Sequence, residues 1–305
     1  MKGTFANENH FDHFLALTLG PLIWWLISIQ NAQTEPKKVF RFGSDSAGRT
    51  INVEYVSLGM GLGVVMLAGL LTYSRGGLAM MFLAAVSSTA MLLYQKRAGR
   101  NAIISVSVAA AIAIVAVWIH GQEILARELA SLGEISIESL DEGAGRRKIW
   151  DAVLLAIPDF AVLGTGVGSH RYVYPAFFSA PSSVQYTHAE SGYLHLLLET
   201  GGPGLGLALV GIGFCGWWLA SAFIRDKPEY SFLAVPLISG ALVSVVHAIF
   251  DFNWFIPANM CLTLVIAALS ARLYDLSSNH QRQKHRQKHR IQLTTAMSVG
   301  LVCPE

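Results

Sequence analysis

Apolar residues in this 305-residue chain are gathered into blocks, and polar connections separate the blocks. A helix needs about 20 predominantly apolar residues to cross the hydrocarbon core of a bilayer. Each block is close to that length, so the pattern predicts membrane-spanning helices. Seven spans are expected, over residues 14–30, 55–73, 78–94, 102–119, 201–224, 232–250 and 254–271.

Composition supports this interpretation. The chain is 53% hydrophobic and only 14% charged, whereas soluble domains carry about 25% charged residues. The net charge of +2 is too small to indicate nucleic acid as a partner. The three cysteines form no CxxC pair and no Cys/His ligand spacing, so neither a disulfide framework nor a structural zinc site is expected. We predict an all-α, polytopic membrane helix bundle.

Basic residues set the expected orientation. Lys and Arg are concentrated in the connections 31–54, 95–101 and 225–230 and in the tail 279–305. With seven spans these segments fall on one side, which the positive-inside rule makes cytoplasmic. The outward side then receives the N-terminus and the connections 74–77, 120–191 and 251–253. The expected division is a membrane domain, 1–278, and a basic cytoplasmic tail, 279–305.

The connection 120–191 is the one long polar segment. Its second part places apolar residues at helical spacing, at Ile149, Trp150, Val153, Leu154 and Ile157. That pattern indicates an amphipathic helix lying on the membrane surface. We expect the helix to end at Pro158, and the glycine-rich stretch 163–168 to form a flexible turn.

Two arginines at outward positions are candidate phosphate ligands. Arg75 lies at the end of a span beside Gly76 and Gly77, and Arg146 begins the surface helix. A guanidinium fork fits a pair of phosphate oxygens, glycines allow close approach, and a helix N-terminus favours an anion. The alternative for Arg75 is an interfacial arginine that reaches toward lipid headgroups.

Candidate proton acceptors lie where the long connection meets the next span. His188 and Glu190 are two residues apart, and either could act as general base toward an acceptor hydroxyl. Burial near hydrocarbon would raise the pKa of the carboxyl and keep the imidazole neutral. The alternative is an ordinary polar loop end. Tyr193 and His10, expected on the same face, are candidates for supporting roles.

Four further residues receive plainer interpretations. His195 could assist the base, whereas Glu199 is expected to pack or hydrogen-bond near the interface. Asp251 ends an outward span and is expected to be an exposed interfacial carboxylate. His247, one turn earlier, is placed to pair with it.

Several motifs are absent from the sequence. The chain contains no GxxxxGK[ST] phosphate loop, no Asp-x-Asp and no Gly-x-Ser-x-Gly. ATP-driven transport by this chain, a metal-dependent nucleotide-sugar transferase and a serine nucleophile elbow are therefore not expected. We predict no metal and no cofactor.

Four sequence blocks follow one another along the chain. They are Gly3-Thr-Phe-Ala-Asn-Glu-Asn-His-Phe11, Thr72-Tyr-Ser-Arg-Gly-Gly77, Gly145-Arg146-x-x-x-Trp150 with Leu163-Gly-Thr-Gly-Val-Gly168, and His188-Ala-Glu-Ser-x-Tyr-Leu194 with Glu199-x-Gly201-x-x-Gly204. In this order the set resembles the O-antigen ligase and O-antigen polymerase superfamily of bacterial inner-membrane proteins. The resemblance extends over roughly residues 3–272.

The resemblance implies transfer of a glycan from an undecaprenyl-diphosphate carrier to an acceptor hydroxyl on the outer side of the inner membrane. Acceptors in such proteins are the lipid A core, another glycan or a protein hydroxyl. The lipid diphosphate is already a good leaving group, so Arg75 and Arg146 would only hold its charge. His188 or Glu190 would take the proton. The family usually has a catalytic His at the position of Glu190, so both residues stay candidates.

Other interpretations remain open. Family members usually have several more spans before the block that begins at Gly3, so this chain is expected to match a C-terminal part of such a protein, and an inactive fragment is one alternative. A membrane transporter or flippase of polysaccharide or lipid-linked substrate is another. Transport predicts ionisable residues and broken helices near the middle of spans, whereas nearly all ionisable residues here lie at span ends.

Overall fold

The computed structural model describes residues 3–34, 53–97, 146–178, 185–224 and 228–300. Within these ranges the chain is helical and has no strand, which confirms the all-α fold. The helices are α1 (Glu8–Thr34), α2 (Val53–Leu70), α3 (Arg75–Tyr94), α4 (Arg146–Phe160), α5 (His170–Phe177), α6 (Gly192–Ile224), α7 (Pro228–Phe250) and α8 (Pro257–Gly300), with a 3₁₀ turn, Asn253–Phe255, between α7 and α8.

Six of these helices are long and apolar enough to cross a membrane: α1, α2, α3, α6, α7 and α8. They correspond to six of the seven predicted spans. The remaining one, 102–119, lies outside the described residues, as does the acidic first part of the long connection. The short helices α4 and α5 belong to that connection.

Helices α1, α3 and α7 form the centre of the bundle. Ile23 and Leu26 of α1 and Leu92 of α3 are fully buried there. Small residues let α1 and α7 approach closely, since a Cβ on Gly20 would lie 3.0 Å from Cβ of Ser239. Lipid tails are as apolar as leucine, so close packing rather than hydrophobicity favours association of such helices.

The first helix begins earlier than the sequence predicts. α1 starts at Glu8 rather than at residue 14. Its first two turns bring His10, Asp12 and His13 into the bundle, where all three are buried. The hydropathy pattern excluded these residues because it counts them as polar, whereas the structure pairs them with partners from the turn before α3, from α7 and from the segment after α7.

The surface helix α4 is amphipathic, as predicted. Ile149 and Val153 are fully buried and pack in one cluster with Leu198 of α6, whereas Leu154 is exposed. The helix therefore lies against the start of α6 with one apolar face and presents further apolar surface outward.

The end of α4 differs from the prediction. The helix continues through Pro158 to Phe160, so the expected end at Pro158 is wrong. A proline this close to the end disturbs only the last turn. The helix then closes where Gly164, with φ +69°, donates its N–H to the Phe160 carbonyl at 2.8 Å. Glycine adopts this left-handed backbone without strain.

Helix α6 is interrupted at Gly201, whose backbone is not helical (φ +69°, ψ −174°). The glycine-rich turn after α4 docks on this interruption. Thr165 donates its N–H to the Leu198 carbonyl at 2.8 Å, and Gly166 donates to the Glu199 carbonyl at 2.9 Å. These bonds satisfy carbonyls that the interruption leaves without a helical partner. The turn that was predicted to be flexible is therefore attached to α6.

Helix α2 lies at the edge of the described bundle. A Cβ on Gly59 or Gly63 would meet no atom within 4 Å. The spacing Gly59-x-x-x-Gly63 predicts that another helix can approach closely here. No helix of the described ranges occupies that position. The helix contact at this pair of glycines stays a prediction.

Gly77 provides a test of how α1 packs on α3. A Cβ there would overlap the side chain of Asp12. We expect Gly77→Ala to lower the thermal unfolding midpoint of the detergent-purified protein, with a cost of about 1–3 kcal/mol from overpacking. Gly76→Ala is the matched control, because a Cβ there would lie 3.6 Å from Nε2 of His247, an ordinary contact. Equal midpoints for both variants would contradict this packing.

Candidate functional site

Five segments meet at one end of the bundle: the beginnings of α1, α3, α4 and α6, and the turn after α7. Four contacts join them, between His10 and Asp251, Asn9 and Ser74, Gly192 and Asp251, and Arg146 and Glu190. The residues that the sequence assigned to one face are thus brought together by segments far apart along the chain.

Asp251 lies at the centre of this end. Its side chain is 1% exposed, and its Oδ1 lies 3.1 Å from Nε2 of His10. Its other oxygen lies 4.0 Å from Nε2 of His247, as the one-turn spacing predicts. Its backbone carbonyl accepts a hydrogen bond from Gly192 at 3.0 Å. The predicted exposed carboxylate is wrong, because the first turns of α1 cover it.

The charge state of Asp251 follows from its neighbours. Burial alone would raise its pKa, but the hydrogen bond with His10 and the charges of His10, His247 and Arg146 outweigh burial and hold the pKa below its usual value. The carboxylate of Asp251 is therefore ionised at neutral pH.

Two further buried pairs lie beside it. Nδ1 of His13 is 2.9 Å from Nδ1 of His247, so one ring donates and the other accepts. Thr72 donates its hydroxyl to the carboxylate of Asp12 at 2.5 Å. Nε2 of His13 and Oδ1 of Asp12 are buried without a hydrogen-bond partner in the described ranges. Ionisable groups at membrane depth are expensive and commonly functional.

His188 stacks flat on Phe252, with ring centroids 4.2 Å apart and an interplanar angle of 2°. Its Nδ1 lies 2.9 Å from Oγ1 of Thr187. Burial lowers the pKa of His188, although the charge of Glu199 opposes this. The ring is therefore neutral at pH 7, the state in which an imidazole can accept a proton.

A buried polar cluster supports the loop that carries both candidate bases. Nε2 of His195 lies 3.2 Å from Oε1 of Glu199, and the same oxygen accepts the backbone N–H of His170 at 3.1 Å. Nδ1 of His195 accepts the N–H of Ala189 at 3.2 Å, so its proton is on Nε2. Glu199 is a hydrogen-bonding residue, as predicted. His195 holds the backbone of Ala189, which lies between the two candidate bases.

Glu190 has a left-handed backbone, with φ +52°, which is uncommon outside glycine. Its Oε2 lies 3.7 Å from Nε of Arg146, and the two side chains are 20% and 31% exposed. Burial and the nearby charge of Asp251 raise the pKa of Glu190, while Arg146 and His10 oppose them. This ion pair is accessible, and its carboxylate is more basic than an ordinary one.

Arg75 is the first residue of α3, at a helix start held by side-chain contacts. Ser74 caps this start by accepting the N–H of Gly77 at 3.0 Å, and its hydroxyl donates to Asn9 of the neighbouring segment. The backbone of Arg75 therefore lies beside the start of α1. The role of its side chain as a phosphate ligand stays a prediction.

Tyr193 is held by the neighbouring helix. Its hydroxyl donates to the Val245 carbonyl at 3.0 Å, and its ring lies edge-on to Trp254 with centroids 4.9 Å apart. These contacts attach the start of α6 to α7. Any support that Tyr193 gives to chemistry stays a prediction.

Some members of this end were missed at the sequence level. His10, Asp12 and His13 lie within one helical turn, directly before an apolar block. Three ionisable residues at that position could have indicated that the helix starts early. His170 offered no such signal, because its burial depends on how α5 packs beside α6. Phe252 became visible only through its stacking with His188.

The fold and this end together define a polytopic membrane protein with a polar site at one end of its bundle. In the part of the chain that the structure describes, no group of three or more His, Cys, Asp or Glu side chains is arranged to hold a metal ion. A family model described as O-antigen ligase matches residues 60–209, about half of the chain. The chain belongs to the O-antigen ligase and polymerase superfamily. No curated protein matches it.

The matched segment contains Arg75, Arg146, His188 and Glu190. It ends before Asp251 and begins after the whole of α1. The buried pairs that α1 makes with α7 and its following turn are therefore outside the segment that defines the family match.

His170 gives a pH-dependent prediction. It is fully buried, stacks on Tyr174 and His195, and burial lowers its pKa from 6.5 to about 4. The unfolded chain binds a proton at His170 more readily than the folded chain does. The contribution of neutral His170 to the free energy of unfolding is therefore fully present above about pH 6.5, and up to about 3 kcal/mol is lost between there and about pH 4. We expect the thermal midpoint of His170→Phe to fall less over that interval than that of the unmodified protein.

Midpoints at about pH 8, where His170 is neutral in both states, provide the reference for any packing change caused by the substitution. If the midpoints of the two proteins fall in parallel on acidification, that result would contradict the prediction that burial keeps His170 neutral in the folded protein.

Proposed function

We propose that this protein transfers a glycan from an undecaprenyl-diphosphate carrier to an acceptor hydroxyl, with the pair of Arg146 and Glu190 at the reacting site. One observation carries the proposal: a guanidinium and a basic carboxylate lie 3.7 Å apart, both accessible, at one end of a membrane bundle. The first suits a phosphate oxygen and the second suits a proton. In this proposal the site faces the periplasm from the bacterial inner membrane.

Arg146 suits the diphosphate for two reasons. It is the first residue of α4, so the dipole of the helix adds positive potential beside its side chain. Its side chain is 31% exposed, so part of the guanidinium can reach a phosphate oxygen while Nε faces Glu190. Arg75, at the start of α3, is the proposed second cation.

Glu190 is the proposed general base. Its pKa is raised by burial and by the charge of Asp251, which makes the carboxylate a stronger proton acceptor. When a diphosphate engages Arg146, Glu190 shares its counter-charge and its pKa rises further. The base would therefore be strongest when the donor is bound. His188 is the alternative, and burial makes it a weaker base than an ordinary histidine by lowering its pKa.

The proposed step is balanced by these groups. The acceptor hydroxyl gives its proton to Glu190 while its oxygen bonds to the anomeric carbon of the donor. The bond from that carbon to the diphosphate oxygen breaks, and the electron pair leaves with the diphosphate. Arg146 and Arg75 would stabilise the charge that develops there. The products are the glycosylated acceptor, undecaprenyl diphosphate and a proton that Glu190 returns to water.

The role of Glu190 predicts a defect in turnover. We expect Glu190→Gln to lower kcat by about 10²–10⁴ without weakening donor binding, because the amide keeps the shape of the side chain but cannot take a proton. The measurement is release of undecaprenyl diphosphate from a lipid-linked oligosaccharide by the full chain, in membranes that contain native acceptors. A near-normal rate for Glu190→Gln, with a severe defect for His188→Asn, would assign the base to His188 instead.

The role of Arg146 predicts a different pattern. Arg146→Ala is expected to lower kcat/KM by about 10–100-fold, the usual effect of losing a hydrogen bond to a charged group. Lys148→Ala is the matched control, because it removes an exposed cation two residues along the same helix. Equal losses in both variants would indicate a general effect of surface charge and would contradict a specific diphosphate site.

A further inference from the structure

An apolar groove with a volume of about 650 Å³ lies between α6, α7 and α8. This is within the range of sites that bind small apolar ligands. Its wall on α6 extends from Gly211 to Ile224, which corresponds to about 20 Å along a helix. The polar groups of the wall are already paired, since the hydroxyls of Ser244 and Thr263 lie 2.9 Å apart. The groove therefore suits a long hydrocarbon.

One end of the groove approaches the candidate functional site through Trp254. Trp254 lines the groove and donates its indole N–H to Oγ of Ser244 at 3.0 Å. Its ring also contacts Tyr193, near the start of α6. Trp254 is two residues from Phe252, on which His188 stacks. A chain that lies in the groove would therefore emerge beside the segment that carries the candidate base.

The glycines of the groove wall have no explanation in internal packing. A Cβ on Gly211 or Gly216 would meet no atom of the described chain within 4 Å. A glycine inside a helix costs about 0.5–1 kcal/mol relative to alanine. Close approach of an apolar ligand to the helix backbone accounts for both positions.

We propose that this groove holds the polyprenyl chain of the lipid-linked donor, in the portion nearest the diphosphate. The proposal rests on the function proposed above for the identity of the ligand. The groove itself selects hydrocarbon, and its continuity with the site favours the donor chain over bulk phospholipid. Arg146 and the groove would then bind the two chemically different parts of one amphiphilic molecule.

Two native cysteines allow a direct test. Cys215 lines the groove, whereas Cys261 is exposed on α8 and outside it. The full chain in detergent is treated with N-phenylmaleimide, with and without undecaprenyl diphosphate, and labelling rates at each cysteine are read by peptide mass spectrometry. At a lipid concentration about ten times its Kd, labelling of Cys215 should slow about tenfold, following 1 + [L]/Kd. Labelling of Cys261 should not change.

The controls separate the possible ligands. Inorganic diphosphate lacks the chain and should leave Cys215 reactive. A phosphatidylglycerol and phosphatidylethanolamine mixture at the same concentration should protect it weakly. Equal protection by these phospholipids would overturn the proposal. So would a Cys215 that is unreactive without lipid but reacts after denaturation in SDS, because another part of the chain would then fill the groove.

A filling substitution provides a second test. Gly216→Leu places a side chain in the groove. Gly213→Leu places one outside the groove on the same helix, in a shallow apolar depression beside Phe214 and Trp217 where a Cβ meets no atom within 4 Å. We expect Gly216→Leu to raise the KM for the lipid-linked donor about tenfold with little change in kcat, because chain carbons excluded from the groove lose their burial. Gly213→Leu should leave both constants unchanged. Equal KM values for the two variants would contradict the assignment.

The outcomes distinguish this inference from the proposed function. Protection of Cys215 by undecaprenyl diphosphate with normal transfer by Glu190→Gln and Arg146→Ala would support the groove and refute the reaction site. Loss of transfer in those variants without protection of Cys215 would support the site and refute the groove.

Discussion

The buried pair of His10 and Asp251 is the contact on which the arrangement of this protein depends. It joins residues 241 positions apart in the sequence, with side chains 4% and 1% exposed. Removing one partner of such a pair leaves an uncompensated buried charge, which costs about 3–5 kcal/mol. The first turns of α1 are therefore held inside the bundle, and the Asp251 carbonyl in turn holds Gly192 at the start of α6.

The contacts of the two carboxylates at this end, Asp251 and Glu190, differ in a way that separates structure from function. The pair of His10 and Asp251 is sealed, whereas the pair of Arg146 and Glu190 keeps about a third and a fifth of its side chains exposed. A sealed pair stabilises one arrangement of helices. An accessible pair can exchange its internal partner for a ligand, which is what a site for an anionic donor and a hydroxyl acceptor requires. The transport alternative predicts an interruption near the middle of a span, whereas the interruption of α6 at Gly201 lies in the first third of its 33 residues.

The limits of sequence reasoning follow from the range of the interactions involved. Hydropathy found six described spans and the amphipathic α4, because these depend on local composition and period. The motif residues Arg146, His188 and Glu190 were found because they stand beside predicted span or helix ends. The burial of Asp251 was not found, since α1 covers it from the far end of the chain. The docked turn on α6 was missed for the same reason, because its hydrogen bonds are made to a neighbouring segment.

In the proposed reaction, the donor diphosphate binds at Arg146 with Glu190 beside it. The most direct measurement is an experimental structure of the full chain in a lipid nanodisc with undecaprenyl diphosphate bound. We expect phosphate oxygens within hydrogen-bond distance of the Arg146 guanidinium. We also expect the Glu190 carboxylate to be released from its ion pair and to face the terminal phosphate. A diphosphate bound elsewhere on the protein, with the Arg146 and Glu190 pair intact, would contradict it.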